Sequence, residues 1–343
     1  ISINSKTLIN LCSNDYLGII QPKISNKQNQ SSSRLVSGND NSFRILEEKL
    51  AKHKSQESSL IFPTGYMANL GVISTLVGKN DLVLSDKLNH ASLIEACKLS
   101  NAKLSIFKHN DMNDLTHKIK MKAKRKFIIT EGIFSMDGDF SNLNEISEIS
   151  KRNNAIIILD DAHGDFVVGN DGKGTANYFG VSKKIDVYIS SLSKGLGSFG
   201  GYVSAKKSII ELCINKSKSF IYTSALPRLL IDDATKRFES NREKNRKKLW
   251  RNVKKFSDGL KKIGFNDNSN SHIFPIIIGK EKIAMEFGEY LFKNGIFAQP
   301  IRYPTVSRNH ARIRISITAR LTNEQIAKSL HVLENAKSKF HLI

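Results

Sequence analysis

The pattern that most constrains this chain is a rhythm. Short apolar, β-branched runs recur at 59–62, 82–85, 103–107, 127–131, 155–160, 186–190 and 201–204. Segments with helical periodicity fill gaps between them, at 42–53, 66–77, 91–99 and 143–153. Runs of that length are strands. Several, such as IIILD at 156–160, are apolar at nearly every position rather than at every second one. A strand reads that way when both of its faces are covered, as in a parallel sheet flanked by crossover helices. The alternation therefore predicts an α/β domain on a mostly parallel seven-stranded sheet. Asn142 with Glu145 reads as a capping pair that opens the helix at 143.

After about Ser224 the rhythm changes. A long polar helix is expected over about 231–263, then a strand at 272–278, a helix ending at Asn294, and extended segments at 296–301 and 312–318. Thr322 with Gln325 caps a last helix. This is the pattern of a smaller C-terminal α+β domain. It divides the chain into an N-terminal segment 1–45, a large domain 46–230 and a small domain 231–343. Residues 22–33 are polar and serine-rich and read as a surface loop.

Composition excludes several classes. Forty per cent of the 343 residues are hydrophobic, enough for a core of this size. No apolar run is long enough to cross a membrane. The first residues lack the basic and apolar regions of a secretory leader, so a cytoplasmic protein is expected. Cys12, Cys97 and Cys213 are too widely spaced for a metal or disulfide pattern and read as free thiols. The net charge of +21 could attract polyanions. Within the basic stretch 242–255 and beyond it, however, Leu249, Val253, Phe256 and Leu260 recur at helical spacing, so the charges form the wet face of an amphipathic helix. With no aromatic-interleaved basic groove beside them, nucleic-acid binding is not expected, and no metal is implied.

The chemistry concentrates in SSLSKGLGSFGGYVS (190–204), which contains a G-x-G-x-x-G string at Gly195, Gly197 and Gly200. A dinucleotide loop needs a helix to open inside the string and an acid about twenty residues later. Here another strand follows, and 212–231 contains no Asp or Glu. The alternative makes Lys194 a Schiff-base nucleophile, with glycines that let the chain turn from strand to strand. Its aldehyde partner would be pyridoxal 5′-phosphate (PLP), which needs a carboxylate to keep the ring nitrogen protonated, donors for the phenolic oxygen and a phosphate cradle. Asp160, Asp161 and His163 end a buried strand, where α/β sheets bind ligands. Strand alternation sends the two carboxylates to opposite sides, so only one faces a ring. Thr64, Gly65 and Tyr66 open a helix whose free amides suit a phosphate.

These pieces resemble the α-oxoamine synthase family of fold-type-I PLP enzymes, which join an amino acid to an acyl-CoA with loss of CO₂. The resemblance runs in family order through CSNDYLG (12–18), SRLVSGN (33–39), FPTGYMANLGV (62–72), DKLNHASLIEA (86–96), TEGIFSMDGD (130–139), LDDAHG (159–164), SLSKGLGSFGGY (191–202), FIYTSALP (220–227), IRYPTV (301–306) and RIRISITA (312–319). It implies that Lys194 carries the cofactor, that Asp160 bonds the pyridine nitrogen, and that His163 bonds the phenolic oxygen with Ser135 nearby. His90 would stack on the ring. The amides of Gly65 and Tyr66, with Ser191, would hold the phosphate. Thr223 or Ser224 would reach it from a neighbouring subunit, since family sites lie at a homodimer interface. Arg314 would clamp the amino-acid carboxylate, and Asn14 and Thr305 would line the substrate side.

FIYTSALP and IRYPTV look most like the members that condense L-alanine with a pimeloyl thioester. The members that use glycine share the catalytic residues, and a fold-type-I aminotransferase would share Lys194 and Asp160. Three departures from the family pattern stand out. The family's helix before CSNDYLG is missing, Asp165 and Phe166 stand where small residues usually follow the histidine, and Ser191 replaces a commoner threonine.

Overall fold

The structure, a computed structural model, describes residues 1–3, 5–23, 32–265 and 269–342. It forms two compact units: 19–134 with 140–242, and 1–18 with 135–139 and 243–343.

The larger unit is built as the rhythm predicts. The elements that build its sheet and the helices between them include, in chain order, α1 (Asn41–Lys54), β1 (Ser58–Phe62), α2 (Gly65–Leu76), β2 (Leu82–Asp86), α3 (Ala91–Leu99), β3 (Lys103–Phe107), α4 (Met112–Lys118), β4 (Lys126–Glu131), α5 (Leu143–Asn153), β5 (Ile156–Asp160), β6 (Val187–Ser191) and β7 (Gly201–Ala205). The seven strands lie in the order β1-β7-β6-β5-β4-β2-β3. Neighbours from β6 to β3 are parallel, whereas β7 runs antiparallel to both β6 and β1. Alternate residues feed cores on opposite faces. Phe127, Ile129 and Ile158 pack with Val72 and Leu93, while Ile128, Ile157 and Leu159 pack with Leu115 and Ile146. Coverage of both faces is why these strands lack polar alternation. Asn142 caps α5 by accepting from Glu145 N.

In the smaller unit, Ile273–Gly279, Ala311–Ser316 and Pro300–Ile301 make a three-stranded antiparallel sheet. Thr322 and Gln325 form a reciprocal capping box at the helix Asn323–Lys339. The first residues belong here because Ile9–Asn10 pairs in parallel with Ile296–Phe297, a long-range pairing that linear boundaries at 45 and 230 do not anticipate.

Two expectations are corrected. The long helix over 231–263 is two helices, Arg228–Glu239 and Arg242–Lys262, because Ser240 takes an extended backbone (φ −68°, ψ 165°) that ends the first. The extended segment at 296–301 is two short strands in different sheets, with Pro300 in the edge strand of its sheet, where its missing N–H is tolerated. The second helix is amphipathic as expected, burying Leu249, Val253, Phe256 and Leu260. Residues 24–31 of the polar 22–33 stretch lie outside the described residues. Among the described residues no helix is long and apolar enough to cross a membrane, and no cluster of His, Cys, Asp or Glu could hold a metal ion.

Candidate active site

The parallel strands deliver their last residues to one edge. β4 ends at Glu131 and β5 at Asp160, and the two are paired in register. β6 ends at Ser191, and residues 192–200 return the chain to β7 in a loop closed by Leu192 N donating to Gly200 O. Gly197 and Gly200 take positive φ in that loop (+70° and +115°), which only glycine adopts readily. The glycines therefore serve a strand-to-strand turn, and no helix opens there. Lys194 projects from this loop, with Nζ 2.9 Å from His163 Nε2. His163 sits on the turn after β5, held by Gly164 N and Asp165 N donating to Asp161 O.

A cleft of about 230 Å³ lies between these elements, lined by Gly65, Tyr66, His90, Asp160, Ser191 and Lys194 among others. Asp160 accepts from Ala162 N (3.0 Å) and Asn69 Nδ2 (2.7 Å). Asp161 turns the other way, to Thr175 and Lys54, as strand alternation requires. His90 is the N-cap of α3; its backbone N donates to Glu131 Oε1 at 2.6 Å and its Nδ1 lies 2.7 Å from Ser92 Oγ. Desolvation against the cleft wall lowers its pKa; the Asp160 and Glu95 charges oppose that and the Lys194 charge adds to it. Thr64 caps α2 by accepting from Met67 N. The first intrahelical bond is Ala68 N to Thr64 O, so the amides of Gly65 and Tyr66 precede it and are available to an anion. Close packing holds this helix start. A Cβ on Gly201 would lie 2.4 Å from Gly65 N, and one on Gly65 would lie 3.3 Å from Ser191 Cβ. A lysine, a buried carboxylate and a helix N-terminus thus face one cleft, and the donor set fits PLP.

The remaining expected residues lie elsewhere. Asn14, Ser135, Thr305 and Arg314 belong to the smaller unit. There Arg314 donates through Nε to the Ser135 carbonyl and through Nη1 to Asn14 Oδ1 (3.3 Å) and Ser316 Oγ (2.8 Å). Arg312 instead pairs with Asp137 at 2.5 Å, so its charge is compensated by a carboxylate while Arg314 is held by neutral acceptors. Thr305 is exposed, in a turn where its N donates to Arg302 O. Thr223 and Ser224 line a small separate cavity with Arg34 and Phe43, not the Lys194 cleft.

The motif reading missed a buried polar cluster behind the His163 turn. Lys54 Nζ lies 2.6 Å from Asp165 Oδ1 and 3.2 Å from Asp161 Oδ2, and His53 Nε2 lies 3.0 Å from Asp165 Oδ1. Tyr202 OH donates to Asp165 Oδ2. The lysine and the neighbouring histidine hold the Asp165 carboxyl well below the usual carboxylate range in spite of its burial. The signal was present in periodicity: Phe43, Leu46, Leu50 and Lys54 lie on one buried stripe of α1. It also missed Asn69 and Ser92, polar residues on the buried sides of α2 and α3.

An aminotransferase class I and II family model matches residues 6–333. The 8-amino-7-oxononanoate synthase of Thermoanaerobacter pseudethanolicus is 39% identical, covering 99% of this chain and 90% of its own. Among solved structures, a serine palmitoyltransferase of S. paucimobilis with bound PLP–myriocin superposes with a TM-score of 0.95 at 27% identity, covering 99% of this chain and 90% of that one. The 8-amino-7-oxononanoate synthase of Francisella tularensis gives 0.82 at 28% identity, covering 98% of this chain and 99% of that one. With a lysine–carboxylate cleft on a seven-stranded sheet and matches along its whole length, the chain belongs to the aminotransferase class I and II family, within its α-oxoamine synthase branch.

Proposed function

We propose that this protein is a PLP-dependent acyltransferase. It condenses L-alanine with a pimeloyl thioester, giving 8-amino-7-oxononanoate, CO₂ and the free thiol, a step of biotin biosynthesis. The observation that carries the reading is the cleft lined by Lys194 and Asp160, with His163 Nε2 2.9 Å from Lys194 Nζ, in a chain that matches 8-amino-7-oxononanoate synthases over 99% of its length. PLP, when bound, supplies the electron sink that stabilises a carbanion at the amino acid's Cα. Lys194 would hold the cofactor and, when free, would take the Cα proton as general base. Asp160 would keep a proton on the ring nitrogen. His163 would donate to the phenolic oxygen, with Ser135 assigned to assist it. Ser191 and the Gly65 and Tyr66 amides would hold the phosphate. His90 would face the ring. Arg314, uncompensated by a carboxylate of its own, takes the substrate carboxylate, with Asn14 and Thr305 beside it. The thioester C–S bond breaks as the new C–C bond forms, and Lys194 returns a proton to the carbon that has lost CO₂.

Thr223 and Ser224, placed away from the Lys194 cleft of their own chain, are assigned to the phosphate of a second copy. A cytoplasmic homodimer is the corresponding assembly. The test incubates the PLP-loaded protein with pimeloyl-, acetyl- or succinyl-CoA, each paired with alanine, glycine or serine. Free CoA from alanine with pimeloyl-CoA is the expected result. Release only with glycine would assign the chain to the glycine-using acetyltransferases, and an α-keto acid without free CoA would make it an aminotransferase. Lys194→Ala should abolish both turnover and the visible absorbance of lysine-bound PLP.

A further inference from the structure

We infer that Asn69 and Ser92 are positioning residues that lock the His90 ring in its Nε2–H tautomer and tie it to the Asp160 carboxylate. A carboxylate only accepts, so the Asn69 atom 2.7 Å from Asp160 Oδ2 is the amide nitrogen. The second hydrogen of that NH₂ goes to Ser92 Oγ at 2.9 Å. Having accepted there, Ser92 has one hydroxyl proton to give, and His90 Nδ1 lies 2.7 Å away. The backbone N of Ser92, a donor only, lies 3.2 Å from the same Nδ1. Two donors converge on one ring nitrogen, so Nδ1 carries the lone pair and the neutral ring's proton is on Nε2.

The arrangement is built rather than incidental. Asn69 is 3% exposed and Ser92 1% exposed, on the adjacent helices α2 and α3. Buried polar side chains persist where partners satisfy them; the Asn69 NH₂ has two, Asp160 and Ser92 Oγ, while its Oδ1 has none among the described residues. Protonating Nδ1 would set an N–H against two donors, and desolvation separately lowers the pKa of His90. The chemical consequence deepens the proposed function, on which it rests. His90 offers the cleft a neutral hydrogen-bond donor, suited to a carbonyl oxygen, and not a base. Asn69 ties Asp160 into the same chain of bonds, so the carboxylate that would meet a ring nitrogen and the imidazole that would face the ring are oriented together.

The test is the ¹⁵N spectrum of histidine-labelled, PLP-loaded protein, with the His90 signal assigned by its loss in His90→Asn. In the wild type, a protonated Nε2 and an unprotonated Nδ1 are expected. In Ser92→Ala one of the two donors to Nδ1 is lost while the backbone N–H of residue 92 remains, so the Nε2–H tautomer should lose part of its population, and kcat should fall about tenfold, the scale of one lost hydrogen bond, with KM for the amino acid within about twofold. Ser92→Thr, which keeps the hydroxyl, should restore both. A protonated Nδ1 in the wild type overturns the inference, and so does a Ser92→Ala protein with unchanged spectrum and kcat. The tautomer is measurable whether or not alanine and pimeloyl-CoA are the substrates. Failure of turnover with those substrates therefore counts against the proposed function alone.

Discussion

Lys54→Met tests the buried cluster behind the His163 turn. The substitution removes a charge at nearly constant volume. Lys54 is 1% exposed at its side chain, and Asp161 and Asp165 are both fully buried. Without the ammonium the two carboxylates keep the neutral donors Tyr202 OH and Thr175 and the His53 ring, and burial lowers the pKa of His53, so it is a poor substitute cation. Stranding one side of a buried ion pair costs about 3–5 kcal/mol. The carboxyl that can relieve the strain is Asp161, already pushed up to about 6 by burial and the Asp165 charge despite the opposing lysine. Losing Lys54 raises it further. A carboxyl whose folded pKa lies above its unfolded value of about 3.9 contributes stability below that value and loses it as pH rises through the folded pKa. The penalty should therefore approach about 4 kcal/mol at pH 8 and be smaller at pH 5. Guanidinium unfolding at the two pH values measures it, and adding Asp165→Asn should recover more than half. A Lys54→Met protein within about 1 kcal/mol of wild type at pH 8, or one hurt more at pH 5, would refute the reasoning.

Other outcomes follow from single contacts. Gly201→Ala puts a methyl 2.4 Å from Gly65 N, against backbone rather than a flexible side chain; the start of α2 must shift, and PLP affinity, read by visible absorbance titration, should fall by about tenfold or more. Arg314→Lys keeps a charge but loses the planar fork, so KM for alanine should rise about tenfold with a smaller change in kcat. Asp165→Asn should flatten the acid limb of stability. The depressed Asp165 pKa contributes stability above its unfolded value of about 3.9 that is lost as pH falls toward the folded one, so acid unfolding below about pH 4 should be shallower in the variant.

Much of the fold was legible because burial on both sheet faces writes itself into composition. IIILD at 156–160 could only be a covered strand, and β5 it is. The Lys194 loop was legible for a different reason: the strand that follows Gly200 excluded a helix-opening dinucleotide turn, and β7 occupies that place. The break at Ser240 was not legible, since residues 239–248 are polar throughout and carry no apolar period for a break to interrupt, and only the backbone of one residue departs. Nor was the pairing of Ile9–Asn10 with Ile296–Phe297, because two-residue strands leave no periodicity and their partners are far apart in sequence. Asn69, Ser92 and Lys54 escaped because motif reading asks which residues do chemistry. The more revealing question was which polar residues lie on buried stripes and must find partners there.

Asp160 and Asp161 show what that second question adds. The two carboxylates are adjacent at one strand end, and each needs support once buried. They receive different partners. Asp161 meets the ammonium of Lys54, which compensates its charge within the fold. Asp160 meets the neutral amide of Asn69 and the backbone of Ala162, which satisfy its oxygens and leave its charge uncompensated. A carboxylate ion-paired within its own protein has less to offer a ligand's ring nitrogen than one held by neutral donors. By the proposed function, the choice of asparagine on α2 and lysine on α1 is what makes one aspartate available to the cofactor and the other part of the scaffold.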